Sequence, residues 1–252
     1  MTGLGYAPPP PRQRAMTLLD LMFLSAAENV ALDEALLLAA EDGTGGEVLR
    51  VWDQPTPAVI VGAGGSVEID VNREACAADG VPIVRRSSGG GTVLLDTNSL
   101  CVSVVLRTDR PGLDAIAGTT AFVMGKHRAA ASPFTAGLEV VGHGDLAENG
   151  RKVAGSAQQR KRRHVLHHAV FLCGTPIERI ARYLRRPERE PAYRAGRDHA
   201  AFLTHLPRDP AQLKEQVLGV WEPDGVYPNP PLERMRELVA EKYGRDEWNL
   251  RR

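Results

Sequence analysis

Two arginines, two serines and three consecutive glycines (Arg85, Arg86, Ser87, Ser88, Gly89, Gly90, Gly91) lie between the apolar runs of "IVRRSSGGGTVLLD", residues 83–96. Adjacent glycines lose backbone entropy on folding and pack no side chains, so they suit a place that something must approach closely. Their backbone N–H groups can form a nest for an anion, and the arginines can add bidentate contacts to a phosphate or carboxylate. A glycine-rich hairpin turn with two surface arginines would use the same residues without a ligand. The stretch is neither a GxxxxGK[ST] loop nor a GxGxxG that opens a helix.

A second stretch, "NGRKVAGSAQQRKRRHVLHH", spans residues 149–168. Lys152 follows an Asn-Gly turn and is followed by the small residues Gly155, Ser156 and Ala157. Such a lysine can extend into a cleft and set its point charge on an oxyanion; it can equally be a solvated strand-edge residue. The run "RKRRH", residues 160–164, could contact nucleic acid, form a solvated loop, or dock an acidic partner protein. His167 and His168 are adjacent, so in a strand they face opposite sides and cannot hold one metal together. One is expected to line a site and the other to be structural.

These residues need elements to position them. Residues 27–41 carry apolar positions at helical spacing and "GTGG" at 43–46 stops the helix. Strands are expected at Val48–Trp52 and Ala58–Val61, joined as a hairpin by a Pro-containing turn, and again in "VPIVRR", "TVLLD", "SLCVSVVLRT" and "HVLHHAVFL". A tight turn at Asn149-Gly150 joins two more. Helices are expected near 72–78, 113–131, 176–185, 210–220 and 231–243. Many strands with interspersed helices and few strict βαβ units predict an α+β fold with a mixed sheet flanked by helices.

The 252 residues and 43% apolar content suit one domain over 17–252 after a disordered tail at 1–16. Lys+Arg and Asp+Glu both number 31, which disfavours a general nucleic-acid binder. Cys76, Cys101 and Cys173 form neither a disulfide framework nor a zinc motif. No membrane span or signal-peptide order is evident, so a soluble cytoplasmic protein is expected.

Taken in order, these motifs resemble the lipoate–protein ligase A family of the biotin/lipoate protein ligase group. Arg-Arg-x-Ser/Thr-Gly-Gly-Gly-x-Val-x-x-Asp matches "RRSSGGGTVLLD", Gly-x-Lys-x-x-Gly-Ser/Asn-Ala matches "GRKVAGSAQ", and His-His-Gly is echoed in "HHAVFL". Weaker echoes are "ENVALDEALL", "LRVWDQPTPAVIVG" and "EKYGRDEWN", so the resemblance covers about residues 26–250. It implies a biotin/lipoate-ligase-like catalytic domain that forms an acyl-AMP from lipoate or octanoate with ATP and Mg²⁺. The acyl group then passes to a lysine of a lipoyl-accepting domain of a 2-oxoacid dehydrogenase or of a glycine-cleavage H-type protein. Lys152 would bind the carbonyl and phosphate oxygens. Arg85 and Arg86 would support the phosphate side, and Ser88, Gly89, Gly90 and Gly91 would shape the loop over the adenylate. Gly155, Ser156 and Ala157 would allow close approach, His168 would line the pocket, and Asp96 would hold the loop or position a cation. No resident metal site and no membrane or nucleic-acid partner is implied.

Some positions depart from the family pattern: Leu95 stands where His is usual, Thr97-Asn98-Ser99 replaces a Gly-Asn segment, Gly62-Ala63 replaces Gly-Arg, and Ala169 follows the two histidines. The chain ends soon after "DEWNLRR", where two-domain ligases carry an accessory domain, so a separate accessory chain is one expectation. Transfer alone, or action alone, are the others. An octanoyltransferase working from acyl carrier protein would need a cysteine near Lys152 to hold a thioester. The positions used for it in related enzymes carry none here, and Cys173 is the remaining candidate. A non-catalytic binder of acylated domains is a further alternative, distinguished by the absence of ATP-dependent pyrophosphate release.

Overall fold

A computed structural model describes residues 16–251. The expected tail falls outside these except for Met16, which is buried in the core. Strand β1 (Thr17–Leu19) leads to helix α1 (Ala26–Asp42), which begins where the Ser25 hydroxyl accepts from the Glu28 amide. It ends at Gly43, whose φ of 90° is a left-handed conformation that glycine adopts without a Cβ clash.

There follow β2 (Val48–Trp52), β3 (Ala58–Val61), the short helices α2 (Val67–Asp70) and α3 (Arg73–Ala78), β4 (Ile83–Arg85), β5 (Val93–Leu95) and β6 (Ser99–Arg107). Helix α4 (Ile116–Ala131) precedes β7 (Leu138–Val141), β8 (Asp145–Glu148), β9 (Arg151–Arg160) and β10 (His164–Leu172). The rest is helical: α5 (Ile177–Tyr183), α6 (His199–Phe202), α7 (Pro210–Trp221), α8 (Leu232–Leu238) with a π-turn at Val239–Tyr243, and α9 (Asp246–Asn249). The fold is α+β, as the sequence predicts.

Seven strands form one sheet in the order β1-β2-β6-β10-β9-β8-β7, antiparallel except for the parallel β1–β2 pair. A second sheet has the order β4-β3-β5, with β3 parallel to β4. The expected β2–β3 hairpin does not form. Both edges of β2 are occupied, by β1 and β6, so β3 has no place beside it and joins the second sheet.

Alternation along the central strands sorts two cores. Val102, Val104 and Phe171 face α4 and α7, packing with Val123, Val217 and Trp221. Cys101, Val105 and Leu166 face α1, packing with Leu32 and Leu36. His167 and His168 follow the same rule: His167 is buried on the α4 side, near His127, and His168 points to the α1 side. The second sheet closes over that side, Ile60 and Leu95 joining the α1 core while Val59 and Leu94 pack on Tyr183 and Phe202. The gap left between α1, the second sheet and β9–β10 is a cavity.

Candidate active site

Lys152 reaches this cavity because of an irregular register. The Asn149-Gly150 turn, with φ of 50° and 72°, sets Glu148 opposite Arg151 and Ala147 opposite Lys152. The next partners are Leu146 and Ala154, so Val153 is an extra residue, a β-bulge. A bulge re-aims the side chains that flank it. Lys152 and Gly155, three apart, thereby share a face, and a Cβ at Gly155 would lie 2.6 Å from the Lys152 amine. The amine is held 2.8 Å from Asp145 Oδ1, and Asp145 Oδ2 accepts from the Tyr193 hydroxyl at 2.8 Å.

Lys152 lines three cavities, two of which also reach the glycine loop at Gly91. The first is largely apolar, walled by Val30, Trp52, Ile60, Leu95, Cys101 and Val170, with Arg86, Gly91 and His168 at its polar side. The second, of about 410 Å³, lies under the segment that crosses from α5 to α6. The chain just beyond α6 is tied beside Lys152, where the Thr204 amide donates to the Lys152 carbonyl. Arg185, Arg189, Arg194 and His199 line this cavity together with Gly90, Gly91 and Asp145. Arg194 Nη2 and His199 Nε2 are buried there without a hydrogen-bond partner among the described residues. Buried polar nitrogens without partners are costly, and the Arg194 guanidinium, always a donor, suits a site for an acceptor-rich anion.

The two arginines of the glycine stretch have separate positions. Arg85 is fully buried outside both cavities, its guanidinium donating to the carbonyls of Gly62, Gly65, Trp248 and Arg251. It ties β4 to the loop at 62–65 and to the C-terminal segment. Arg86 lines the apolar cavity and shapes the loop, donating to the carbonyls of Gly89, Gly91 and Ile60 and to Ser88 Oγ. Burial pulls the Arg86 pKa down to about 10, so it stays charged at neutral pH. Gly90, at φ 86°, fits between Gly62 and Ala157: its carbonyl oxygen lies 2.0 Å from where a Gly62 Cβ would be. At Gly89 and Gly91 a Cβ would meet nothing within 4 Å.

Ser88 is buried, with Oγ 2.6 Å from His168 Nε2. His168 Nδ1 faces Asp33 Oδ2 at 3.2 Å. Asp33 also accepts from Arg50 at 2.7 Å and from Ser103 at 2.7 Å. Burial alone would raise the Asp33 pKa, but Arg50, His168 and Ser103 outweigh it and hold the carboxyl below its usual value. Of the remaining expected residues, Gly155, Ser156 and Ala157 line the apolar cavity. Asp96 lies outside both cavity walls and organises the β5–β6 turn, accepting from Thr175, the Asn98 amide and Arg179. The run at 160–164 is divided: Arg160 donates to Thr119 and the Leu113 and Asp114 carbonyls, His164 is buried against Glu41, and Lys161, Arg162 and Arg163 are exposed, Arg163 also meeting Glu41.

Asp33, Asp145 and Tyr193 were not anticipated from the sequence. A signal existed for Asp145, because the Asn-Gly hairpin register sets Ala147 opposite Lys152 and Asp145 one pleat further on the same face. Among the described residues, no cluster of three or more metal-ligating side chains occurs and no helix is long and apolar enough to cross a membrane.

Burial disfavours the thiolate form at all three cysteines. Burial raises the pKa of Cys76, raises that of Cys101 strongly, and pushes Cys173 up to about 12.

Residues 25–214 match the family model of the lipoyl protein ligase A/B catalytic domain. A protein of Aeropyrum pernix assigned as a lipoate-protein ligase A is 35% identical over 199 residues, 77% of this chain and 70% of that protein. The octanoyltransferase LipM of Symbiobacterium thermophilum is 30% identical over 269 residues, 93% of this chain and 98% of its own. Among solved structures, a Thermoplasma acidophilum protein assigned as a lipoate protein ligase, with bound lipoic acid, superposes with TM-score 0.80 at 19% identity, covering 94% of this chain and 99% of that one. A bipartite lipoate protein ligase of the same organism, described with its E2 lipoyl domain, gives 0.78 at 19%, and a lipoate-protein ligase A bound with ATP gives 0.77 at 19%; each covers 94% of this chain and 98% of the other.

Proposed function

The chain belongs to the lipoyl protein ligase A/B catalytic-domain family, and we propose that it activates lipoate or octanoate with ATP and transfers the acyl group to a lysine of a lipoyl-accepting domain. The observation that carries this reading is that Lys152 lines both the apolar cavity and the cationic one. The acyl chain occupies the first, its carboxylate toward Lys152. The nucleotide occupies the second, where Arg194 offers its Nη2 N–H groups, which have no hydrogen-bond partner among the described residues, to its oxygens. ATP arrives with Mg²⁺, and Asp70 and Asp145 are hard oxygen donors in the same cavity.

In the first half-reaction a carboxylate oxygen of the fatty acid attacks the α-phosphorus and the bond to pyrophosphate breaks. Lys152 and Arg86 offset the negative charge gathered there, and they do so from fixed positions. In the second, the neutral amine of the acceptor lysine attacks the acyl carbonyl, the bond to AMP breaks, and the amine proton leaves. Lys152 stabilises the oxyanion in this step and forms no covalent bond. The open space at Gly89 and Gly91 leaves room for ligand beside the loop. The acceptor is the lipoyl domain of a 2-oxoacid dehydrogenase or an H-type protein, and the likeness to the bipartite ligase makes a separate accessory chain a second partner to supply.

The similarity to octanoyltransferase LipM favours a second reading, transfer from octanoyl-acyl carrier protein. Its thioester step requires a thiolate near Lys152. Cys101 is the thiol in the apolar cavity wall, and burial keeps it protonated.

Intact mass of an apo lipoyl-acceptor domain separates the two. Lipoyl addition with lipoate, ATP and Mg²⁺ supports the ligase reading; octanoyl addition only from octanoyl-acyl carrier protein without ATP replaces it with the second. Modification in neither tube, also after adding an accessory chain, refutes both and leaves a binder of acylated domains.

A further inference from the structure

Asp33 is the innermost member of a hydrogen-bonded line that runs from α1 to the glycine loop. Its carboxylate is 4% exposed and ionised, with Arg50 at 2.7 Å on Oδ1. Oδ2 therefore accepts from each group that faces it, which are Ser103 Oγ at 2.7 Å and His168 Nδ1 at 3.2 Å. Nδ1 must carry a hydrogen to face a carboxylate oxygen without repulsion. In a neutral imidazole this leaves Nε2 as the acceptor. At 2.6 Å the Ser88 hydroxyl then donates to Nε2, and its oxygen accepts from Arg86 Nε at 3.0 Å. The same guanidinium donates through Nη2 to the carbonyls of Gly89 and Gly91 at 2.5 and 2.8 Å. Every donor and acceptor in the line is used once the direction at Asp33 is fixed.

We propose that Asp33 is a positioning residue for the reaction: by fixing His168 as its Nδ1–H tautomer it orients the Ser88 hydroxyl, and through Arg86 it sets the shape of the glycine loop. The kinetic part rests on the proposed acyl transfer; the tautomer part does not. In Asp33→Asn the new amide faces His168 with an N–H, turning Nδ1 into the acceptor and moving the ring hydrogen to Nε2. Nε2–H then points at Ser88, whose hydroxyl hydrogen has to turn away. An altered tautomer with an intact fold is a known way for a carboxylate-to-amide change to stop catalysis.

The test begins with ¹⁵N-histidine-labelled full chain and long-range ¹H–¹⁵N correlation. His168 is expected to show a pyrrole-type Nδ1 and a pyridine-type Nε2, and the reverse pattern overturns the proposal whether or not the protein transfers acyl groups. Folded Asp33→Asn is expected to show the reversed tautomer. Ser88→Ala and Asp33→Asn are each expected to slow transfer at least tenfold, and the double variant to be no slower than the worse single one. Losses that multiply mean independent roles and also overturn it. Because Asp33→Asn weakens the partner of buried Arg50, His168→Gln paired with Ser88→Ala runs the same cycle should Asp33→Asn fail to fold. If wild-type protein transfers nothing, the proposed function fails and the tautomer still decides this inference.

Discussion

Gly155→Ala tests the placement of Lys152 more sharply than removing the lysine does. An added Cβ would lie 2.6 Å from Nζ and 2.7 Å from Cε of Lys152, and 3.4 Å from Asp145 Oδ1. Non-bonded carbon and nitrogen atoms rest at about 3.5–4.0 Å, so the amine must retreat by roughly 1 Å. The obstacle is the end of a flexible side chain rather than backbone, and Gly155 is not among the positive-φ glycines. The fold should therefore tolerate alanine, and reduced unfolded-state entropy adds about 0.4–1 kcal/mol of stability. Catalysis should not tolerate it: a 1 Å misplacement of a group in the reaction can cost about 10²-fold in rate, or ~2.7 kcal/mol. The assay is single-turnover acyl transfer to an apo lipoyl-acceptor domain by intact mass, alongside thermal unfolding. Expected are an unchanged or slightly raised Tm, a rate about a hundredfold down, and no detectable transfer in Lys152→Ala with its fold intact. Wild-type transfer rates in Gly155→Ala would refute the argument that the bulge and the bare glycine hold Lys152 in its working position.

Cys173→Ser is expected to keep full transfer activity, since burial pushes that thiol up to about 12 and leaves it protonated at neutral pH; loss of activity, measured by the same mass assay, would restore the thioester route. Arg85→Met should destabilise the fold by about 3 kcal/mol, read as a shift in urea midpoint, because it takes the side-chain donor from the part-buried Trp248 and Gly65 carbonyls and one of two donors from the buried Gly62 carbonyl. Acid should unfold the protein early. Burial lowers His127 from 6.5 to about 3 and His167 well below 6.5, so both stay neutral in the native state while the unfolded chain takes up protons. Their contribution is fully present above about pH 6.5 and is lost as pH falls below it, each by about 1.4 kcal/mol per pH unit down to the folded pKa. Tm measured between pH 7 and 5 should fall, and His127→Phe should flatten the slope.

The longer elements were legible because they are locally marked: Gly43 stops α1, and Asn149-Gly150 turns β8 into β9 at the expected residues, whereas the three- and four-residue elements β1, α2, α6 and α9 are too short to show a period and were not expected. What failed was pairing. "VLRVWDQPTPAVIV" reads as a hairpin from adjacency, yet β2 is buried on both edges and both faces, and nothing local to it reveals strands contributed from residues 17–19 and 99–107. The site divides the same way. Gly90, Arg86 and Lys152 are visible as residue types, but the separation of Arg85 from Arg86 follows from strand parity combined with the C-terminal segment, which lies more than 160 residues away.

Asp33 shows why a motif can be complete in sequence and still omit a working part. It sits in "ENVALDEALL" beside Glu34, where spacing alone does not mark which carboxylate turns toward the sheet. Its burial is possible only because Arg50, from β2, and Ser103, from β6, arrive with matching donors. Neither of those two is marked by spacing, since each lies in a run of apolar strand residues. A buried ion pair of this kind adds little net stability over apolar packing, and the folded chain nevertheless retains one whose carboxylate lies at the wall of the apolar cavity. The chemistry gives a reason: a carboxylate, one negative charge shared by two acceptor oxygens, holds Arg50 on one oxygen and fixes the hydrogen of His168 from the other.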